Sequence, residues 1–312
     1  MPSSVFRRRS VVAALLAASV TGLAACGGGS DPLAEDASAQ VAPAGGGTIV
    51  VGSANFLENE LLAQMYAQAL TKAGFSVETK LNVGSREILF AAMKEGSIDV
   101  LPEYNGALLS YLDAKDTSTT TETVDAALTK LLPSGLAVLD PSTAQDKDTV
   151  AVSKATAARN NLTSIADLKA VAPSMNFGGA PEDKTRYQGL VGLQKVYGLN
   201  FKSFRSLDTA GPLTINALDR GRVDAAILYS TTPEIEQRGF VALTDPENVF
   251  GVQNVIPLIT SAKVPEKARA VLNDISKALD TTTLTELNAQ VQIDQKSAAD
   301  VAGAWLQEKG LG

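Results

Sequence analysis

Ala92-Met-Lys-Glu-Gly96-Ser-Ile-Asp99-Val-Leu-Pro-Glu-Tyr104 and Ala217-Leu-Asp-Arg-Gly221-Arg-Val-Asp224-Ala-Ala-Ile-Leu-Tyr229 are the stretches on which the fold turns. Each reads as a helix end, a Gly, one residue, a β-branched residue, an Asp, and a Tyr five positions after the Asp. A glycine closing a helix adopts the left-handed conformation that other residues avoid. The strand that follows delivers its Tyr near the carboxyl end, where open α/β sheets hold ligands. The repeat predicts two similar lobes, with Tyr104 and Tyr229 offered to a shared cleft. Chance likeness of two helix–Gly–strand units is the alternative.

Outward from the repeat, short apolar runs alternate with helical spacing. Strands are predicted over Thr48–Ser53, Ser76–Asn82, Ile98–Leu101, Thr149–Val152, Met175–Phe177, Phe201–Arg205 and Val223–Leu228. Helices are predicted over 55–70, Arg86–Lys94, Arg186–Val196 and Leu213–Asp219, where apolar residues recur at three- and four-residue intervals. From Pro265 onward the chain reads as almost wholly helical, and the Thr-rich Asp116–Thr123 stretch as a loop and helix start. Alternating strands and helices predict an α/β architecture of parallel sheets covered on both faces.

The chain has 312 residues, no histidine, one cysteine and a net charge of −7. Without histidine there is no Ser-His-Asp or Cys-His catalysis and no imidazole metal site. One cysteine excludes an internal disulfide and a Cys-rich cluster. The acidic balance argues against nucleic acid as a partner. Aromatic residues make up 5% of the chain, so few rings are available for a ligand cage.

Arg7-Arg8-Arg9 precede an apolar stretch, Val11 to Leu23, which runs into Leu23-Ala24-Ala25-Cys26. Residues 1–25 read as a signal peptide, and the last four residues resemble the lipobox of bacterial lipoproteins, with Cys26 carrying the lipid. A signal cleaved after Ala-x-Ala, leaving Cys26 an incidental thiol, is the plainer alternative. Loss of residues 1–25 removes three arginines and no acid, taking the charge from −7 to −10. Residues 26–47 are rich in Gly, Ala, Pro, Asp and Ser and read as a flexible tether. The expected location is extracytoplasmic, held to the membrane by the lipid alone.

No Gly-x-Ser-x-Gly elbow, Ser-x-x-Lys motif, dinucleotide fingerprint or P-loop occurs, so neither an enzyme nor a cofactor is expected. The carboxylates Glu58 with Glu60 and Asp99 with Glu103 read as a solvated helix face and a structural cap. A binding cleft asks for less: a few fixed polar groups and some apolar wall. Tyr104 and Tyr229 can face a cation with their ring quadrupoles. Arg186, in Glu182-Asp-Lys-Thr-Arg-Tyr, is suited to gripping a carboxylate in bidentate fashion, or else pairs with Glu182 or Asp183. Ser53, Ser85 and Thr209 fall at expected helix starts.

Several motifs now converge. Gly52-Ser-Ala-Asn-Phe56, Leu81-Asn-Val-Gly84, Gly96 through Tyr104, Gly178-Gly-Ala-Pro-Glu182, Tyr197-Gly, Leu218 through Asp224, Tyr229-Ser-Thr231 and Leu287-Asn288 occur in one order. Together they resemble the substrate-binding proteins of osmoprotectant (glycine betaine, carnitine, choline) ABC transporters. The resemblance implies a two-lobed, hinged periplasmic-binding-protein fold of type II, with lobe one formed by 48–149 and 255–312 and lobe two by 150–254. It implies capture of a small zwitterionic or quaternary-amine solute by a monomer, and delivery to a membrane permease driven by a cytoplasmic ATPase. A different polar metabolite, or a receptor role without transport, remains the alternative.

Residue by residue, the resemblance implies ring contacts from Tyr104 and Tyr229, an acidic contact from Asp148, and a carboxylate-binding role for Arg186. The chain departs from the family where Val150 and Gln253 replace tyrosines, Ala54 a lysine, Ala107 a threonine and Thr232 an acid. Arg86 is expected to restore a positive charge, and Asn55, Asn105 and Gln253 to make the site more polar.

Overall fold

The computed structural model describes residues 47–312; residues 1–25, expected to be a signal peptide, Cys26 and nearly all of the stretch expected to be a tether lie outside the described residues. Among the described residues no helix is long and apolar enough to cross a membrane.

In chain order the first lobe opens with β1 (Ile49–Ala54), α1 (Leu57–Lys72), β2 (Val77–Gly84), α2 (Arg86–Lys94), β3 (Val100–Tyr104), α3 (Asn105–Leu112), α4 (Thr121–Leu131) and β4 (Leu136–Val138). The chain then crosses over and forms β5 (Asp148–Ser153), α5 (Lys154–Asn160), β6 (Asn176–Gly179), α6 (Gly192–Tyr197), β7 (Ser203–Ser206), α7 (Pro212–Asp219), β8 (Ala225–Tyr229), α8 (Glu234–Gln237) and β9 (Phe240–Ala242). A second crossover returns it to β10 (Val255–Thr260), followed by α9 (Glu266–Ala278), α10 (Thr281–Gln292) and α11 (Ala298–Glu308).

Two five-stranded sheets result, ordered β2-β1-β3-β10-β4 and β7-β6-β8-β5-β9. Three strands of each are parallel, whereas β10 and β5 run antiparallel to their neighbours. The expectation of purely parallel sheets is therefore corrected. The reversed strand in each sheet is the one that enters from the opposite lobe, and alternation along the chain carries no signal for that crossing.

The sequence repeat is a structural repeat. Gly96 and Gly221 both sit at positive φ, +77° and +62°, and turn the chain out of α2 and α7. Asp99 then accepts the backbone N–H of Val50 at 2.9 Å, and Asp224 that of Asn176 at 2.8 Å. In each lobe the aspartate fastens the first parallel strand to the incoming third one. The tyrosine five residues later reaches the end of its strand at the cleft.

Both sheets are covered on both faces. One face of the first sheet packs on α1 and the C-terminal helices through Leu61, Leu62, Met65, Tyr66 and Trp305, and the other on α2–α4 through Leu89, Phe90, Leu108 and Leu128. Burial of a large apolar side chain stabilises by roughly 1.5–3 kcal/mol, so α1 anchors its lobe. Phe177 and Leu218 lie in cores on opposite faces of the second sheet.

The helix predicted over Arg186–Val196 is broken. Arg186 is extended, Gln188 and Gly189 leave helical geometry, and α6 starts only at Gly192. A Cβ on Gly189 would lie 2.3 Å from the Asp183 carbonyl oxygen, so the chain passes too close for a regular turn. Gln188 donates to the Phe250 carbonyl at 2.9 Å, which ties this segment to the second crossover.

The crossovers run side by side as a hinge. Asp146 N–H donates to the Gln253 carbonyl and Val255 N–H to that of Ala144. Asn105, fully buried, pins them to the first lobe: its Oδ1 accepts from Gly106 and Asn254 N–H, both at 2.8 Å, and its Nδ2 donates to Asp125 at 2.9 Å. Replacing Asn105 with Ala strands two buried donors. Urea unfolding should show a loss of about 2–4 kcal/mol.

Candidate functional site

The ends of β1, β3, β5 and β8, the start of α2 and the 180–186 segment form a cavity between the lobes that is partly open to solvent. Tyr104 stands at the end of β3 and Tyr229 at the end of β8, and both line it. Phe56, from the turn after β1, lies between them, its ring centroid 6.2 Å from Tyr104 and 5.1 Å from Tyr229. The repeat in the sequence points to two rings and not to this third, although Phe56 closes one of the converging motifs. Val150 lies in the core of the second lobe and is not among the cavity-lining residues.

Arg86, Asp148, Arg186, Asn55 and Gln253 also line the cavity. Arg86 grips Glu103 through three hydrogen bonds of 2.8–3.1 Å. Burial opposes the charge of Arg86, but the adjacent Glu103 carboxylate outweighs it and holds the guanidinium pKa above its ordinary value. Arg186 pairs neither with Glu182 nor with Asp183. It reaches across the cleft to Glu87 at the start of α2, with two parallel hydrogen bonds of 3.0 and 2.8 Å. Burial pushes the Glu87 carboxyl up, yet the hydrogen bonds from Arg186 prevail and bring it down to about 2.

Asp148 accepts from Gln253 Nε2 at 2.9 Å. Its carboxyl is raised by burial, an effect that Gln253 and the two arginines only partly offset. Asn55 is exposed at the rim. Asn105 does not line the cavity: both ends of its amide are engaged in the hinge. Of the expected helix starts, Ser53 lies within β1 and accepts from Asn82 N–H, Ser85 precedes α2 without a capping bond, and Asp208 rather than Thr209 caps α7.

Four further carboxylates matter, and two of them, Glu103 and Glu58, read in the sequence as a structural cap and part of a solvated helix face. Glu103 is the partner of Arg86, not merely a cap. Glu58 is not on a solvated face: it is 2% exposed. It accepts from Tyr104 Oη at 2.6 Å, from Thr231 Oγ1 of the second lobe at 2.5 Å, and from Asn288 Nδ2 of α10. Asp146 in the first crossover, buried beside it, has its carboxyl raised well above the usual range by burial and then by the charge and hydrogen bond of Glu58. Asp183 lines the cavity as well, accepting from Ala180 N–H at 2.8 Å. Among these groups, only Glu58 spans both lobes and the C-terminal helices.

Two hinged lobes that close on a polar, ring-lined cavity define a solute-binding protein. The sequence pattern described as "Substrate binding domain of ABC-type glycine betaine transport system" matches residues 47–308. The chain belongs to that family and is the substrate-binding component of an ABC importer. It is 28% identical over 277 residues to the glycine betaine-binding protein YehZ of Escherichia coli (strain K12), covering 84% of this chain and 90% of that one. It is 27% identical over 284 residues to a glycine-betaine-binding protein of Pseudomonas aeruginosa, covering 85% and 88%. A solved glycine betaine/carnitine/choline ABC transporter structure superposes with a TM-score of 0.65 at 19% identity, covering 84% of this chain and 99% of that one. The expectations of family and of a type II two-lobed fold hold.

Burial, reinforced by Asp148, pushes the Asp183 carboxyl up to about 7. The folded chain thus binds this proton more tightly than the unfolded chain. Its stabilising contribution is complete below the ordinary Asp range and is lost as pH rises through about 7. Between pH 5 and 8 the unfolding free energy measured in urea should fall by about 3 kcal/mol, and Asp183→Asn should flatten that slope.

Proposed function

We propose that the cavity captures a small zwitterionic or quaternary-amine solute of betaine type for delivery to the importer's permease and its cytoplasmic ATPase. The observation that carries this reading is the trio of rings, Phe56, Tyr104 and Tyr229, set against buried acids in one cavity. Ring faces attract an onium group, which cannot donate a hydrogen bond, by about 0.5–2 kcal/mol each. The acids supply the long-range attraction that draws a cationic head in. The glycine betaine-binding relatives support the same ligand class.

In this reading Tyr104 and Tyr229 hold the head group with Phe56, Asp148 and Gln253 fix its charge and orientation, and Asn55 closes the rim. Arg86 and Arg186 face the polar end of the solute. Lobe one comprises 48–149 with 255–312 and lobe two 150–254, and the protein acts as a monomer. Residues 1–25 are removed, Cys26 carries the lipid, and the tether lets the lobes reach the permease from the outer side of the membrane. The lipid-bearing cysteine is the only cysteine of the chain and falls directly after an apolar signal stretch.

Calorimetric titration of the full-length chain in mild detergent should detect binding of glycine betaine, choline or carnitine. Tyr229→Ala should weaken that binding by about 3- to 30-fold, the equivalent of one ring. Absence of heat with all three quaternary amines overturns the ligand class. The anchor has its own test: Cys26→Ser should move the chain from the membrane fraction to the soluble fraction in cells.

A further inference from the structure

Both arginines of the cavity have their charge met before any solute arrives. Arg86 lies against Glu103, Nε to both carboxylate oxygens and Nη2 to one, with side chains only 14% and 4% exposed. Arg186 lies against Glu87 of the other lobe through Nε and Nη2, a planar two-point pair. Around them stand Asp148, whose side-chain partner is the neutral Gln253, and Asp183, whose partner is a backbone N–H. Glu182 is a further acid in the wall, whereas Ala54 and Ala107 bring neither charge nor side-chain donor. Lys147, next to the site in sequence, does not line it. With the two ion pairs cancelled, the surplus facing the ring trio is negative.

We propose that this cavity selects an organic cation without a carboxylate, an onium head with a neutral polar tail, over a zwitterion. The specificity-determining residues are Glu87 and Glu103, which neutralise the arginines in advance, together with the surplus carboxylate of Asp148. This rests on the reading of the cavity as a quaternary-amine site and narrows its ligand class. A zwitterion brings a second carboxylate into a cavity that already holds excess negative charge. To find a cation it must displace Glu87 from Arg186, breaking two charge-assisted hydrogen bonds to form their equivalent. A neutral tail needs only one donor or acceptor and leaves both pairs in place. Discrimination then comes from the repulsive element built into the wall as much as from the rings. Glu87 adds a second consequence. Its pair with Arg186 joins the lobes, so a solute that leaves the pair intact is also the one that leaves closure undisturbed.

The test uses an isosteric pair, glycine betaine and its amide, which share size and head group and differ in the charge of the tail. The full-length chain is titrated with each at pH 7.5, with choline as a second cation. The amide and choline should bind at least about tenfold more tightly than glycine betaine, a difference of about 1.4 kcal/mol. In Glu87→Gln, where Arg186 is released, the amide-to-betaine ratio should shrink to about threefold or less. The ratio is unaffected by a loss of closure common to both ligands. Asp148→Asn, which removes surplus charge without touching either ion pair, should shrink it as well. Glycine betaine binding as tightly as its amide, or a ratio unchanged in both variants, overturns the selectivity while the quaternary-amine reading stands. No binding by any of the three overturns both.

Discussion

The Glu58 carboxylate is the constraint on which the closed molecule depends. An ionised carboxylate taken out of water costs several kcal/mol unless its oxygens are met. Here they are met by Tyr104 from β3, Thr231 from the second lobe and Asn288 from α10, with Asp146 of the first crossover buried beside them. No single lobe contains all of these partners. Satisfying one buried charge therefore fixes strand end, hinge and C-terminal helix relative to each other, and it does so only when the lobes come together. Tyr104 belongs both to this network and to the cavity wall, so its ring position is set from behind by a hydrogen bond rather than by the solute.

The same geometry explains why the cavity has an electrostatic character that its residue types alone do not suggest. Two arginines among a few acids look like a balanced site for a zwitterion. Their bidentate pairing with Glu103 and Glu87 removes them from that balance, and what remains facing the rings is acidic. Glu103 is the neighbour of Tyr104 in β3, and its carboxylate also accepts the Tyr104 N–H at 3.0 Å. The strand that delivers the ring thus also delivers the group that neutralises Arg86. Family membership establishes solute binding, and the pairing of both arginines leaves an acidic wall around the rings.

The hinge illustrates a different physical economy. Its two segments are short and irregular, and buried irregular backbone carries polar groups that need partners. Asn105 and Asn254 supply them: Asn254 Nδ2 donates to the Ser142 carbonyl and Thr121 donates to Asn254 Oδ1. Asn105, which follows Tyr104 directly, reads in the sequence as one of the groups that make the site more polar. One residue of helical rotation turns it from the cleft into the hinge, a distinction that spacing does not encode.

Local physics was legible in the chain. Gly96 and Gly221 mark helix ends, Asp99 and Asp224 follow at equal spacing, and each tyrosine falls at a strand end, all within a dozen residues of one another. Those features determined the two-lobed α/β plan and the placement of Tyr104 and Tyr229. Tertiary structure decided what depends on distant partners: Arg186 with Glu87, 99 residues apart, Glu58 with Thr231, 173 apart, and Glu58 with Asn288, 230 apart. It also decided the reversed strands β5 and β10, which owe their direction to the crossovers. Periodicity reports which face of an element is buried. Which charge meets which depends on how two lobes close, and that is a property of the whole chain.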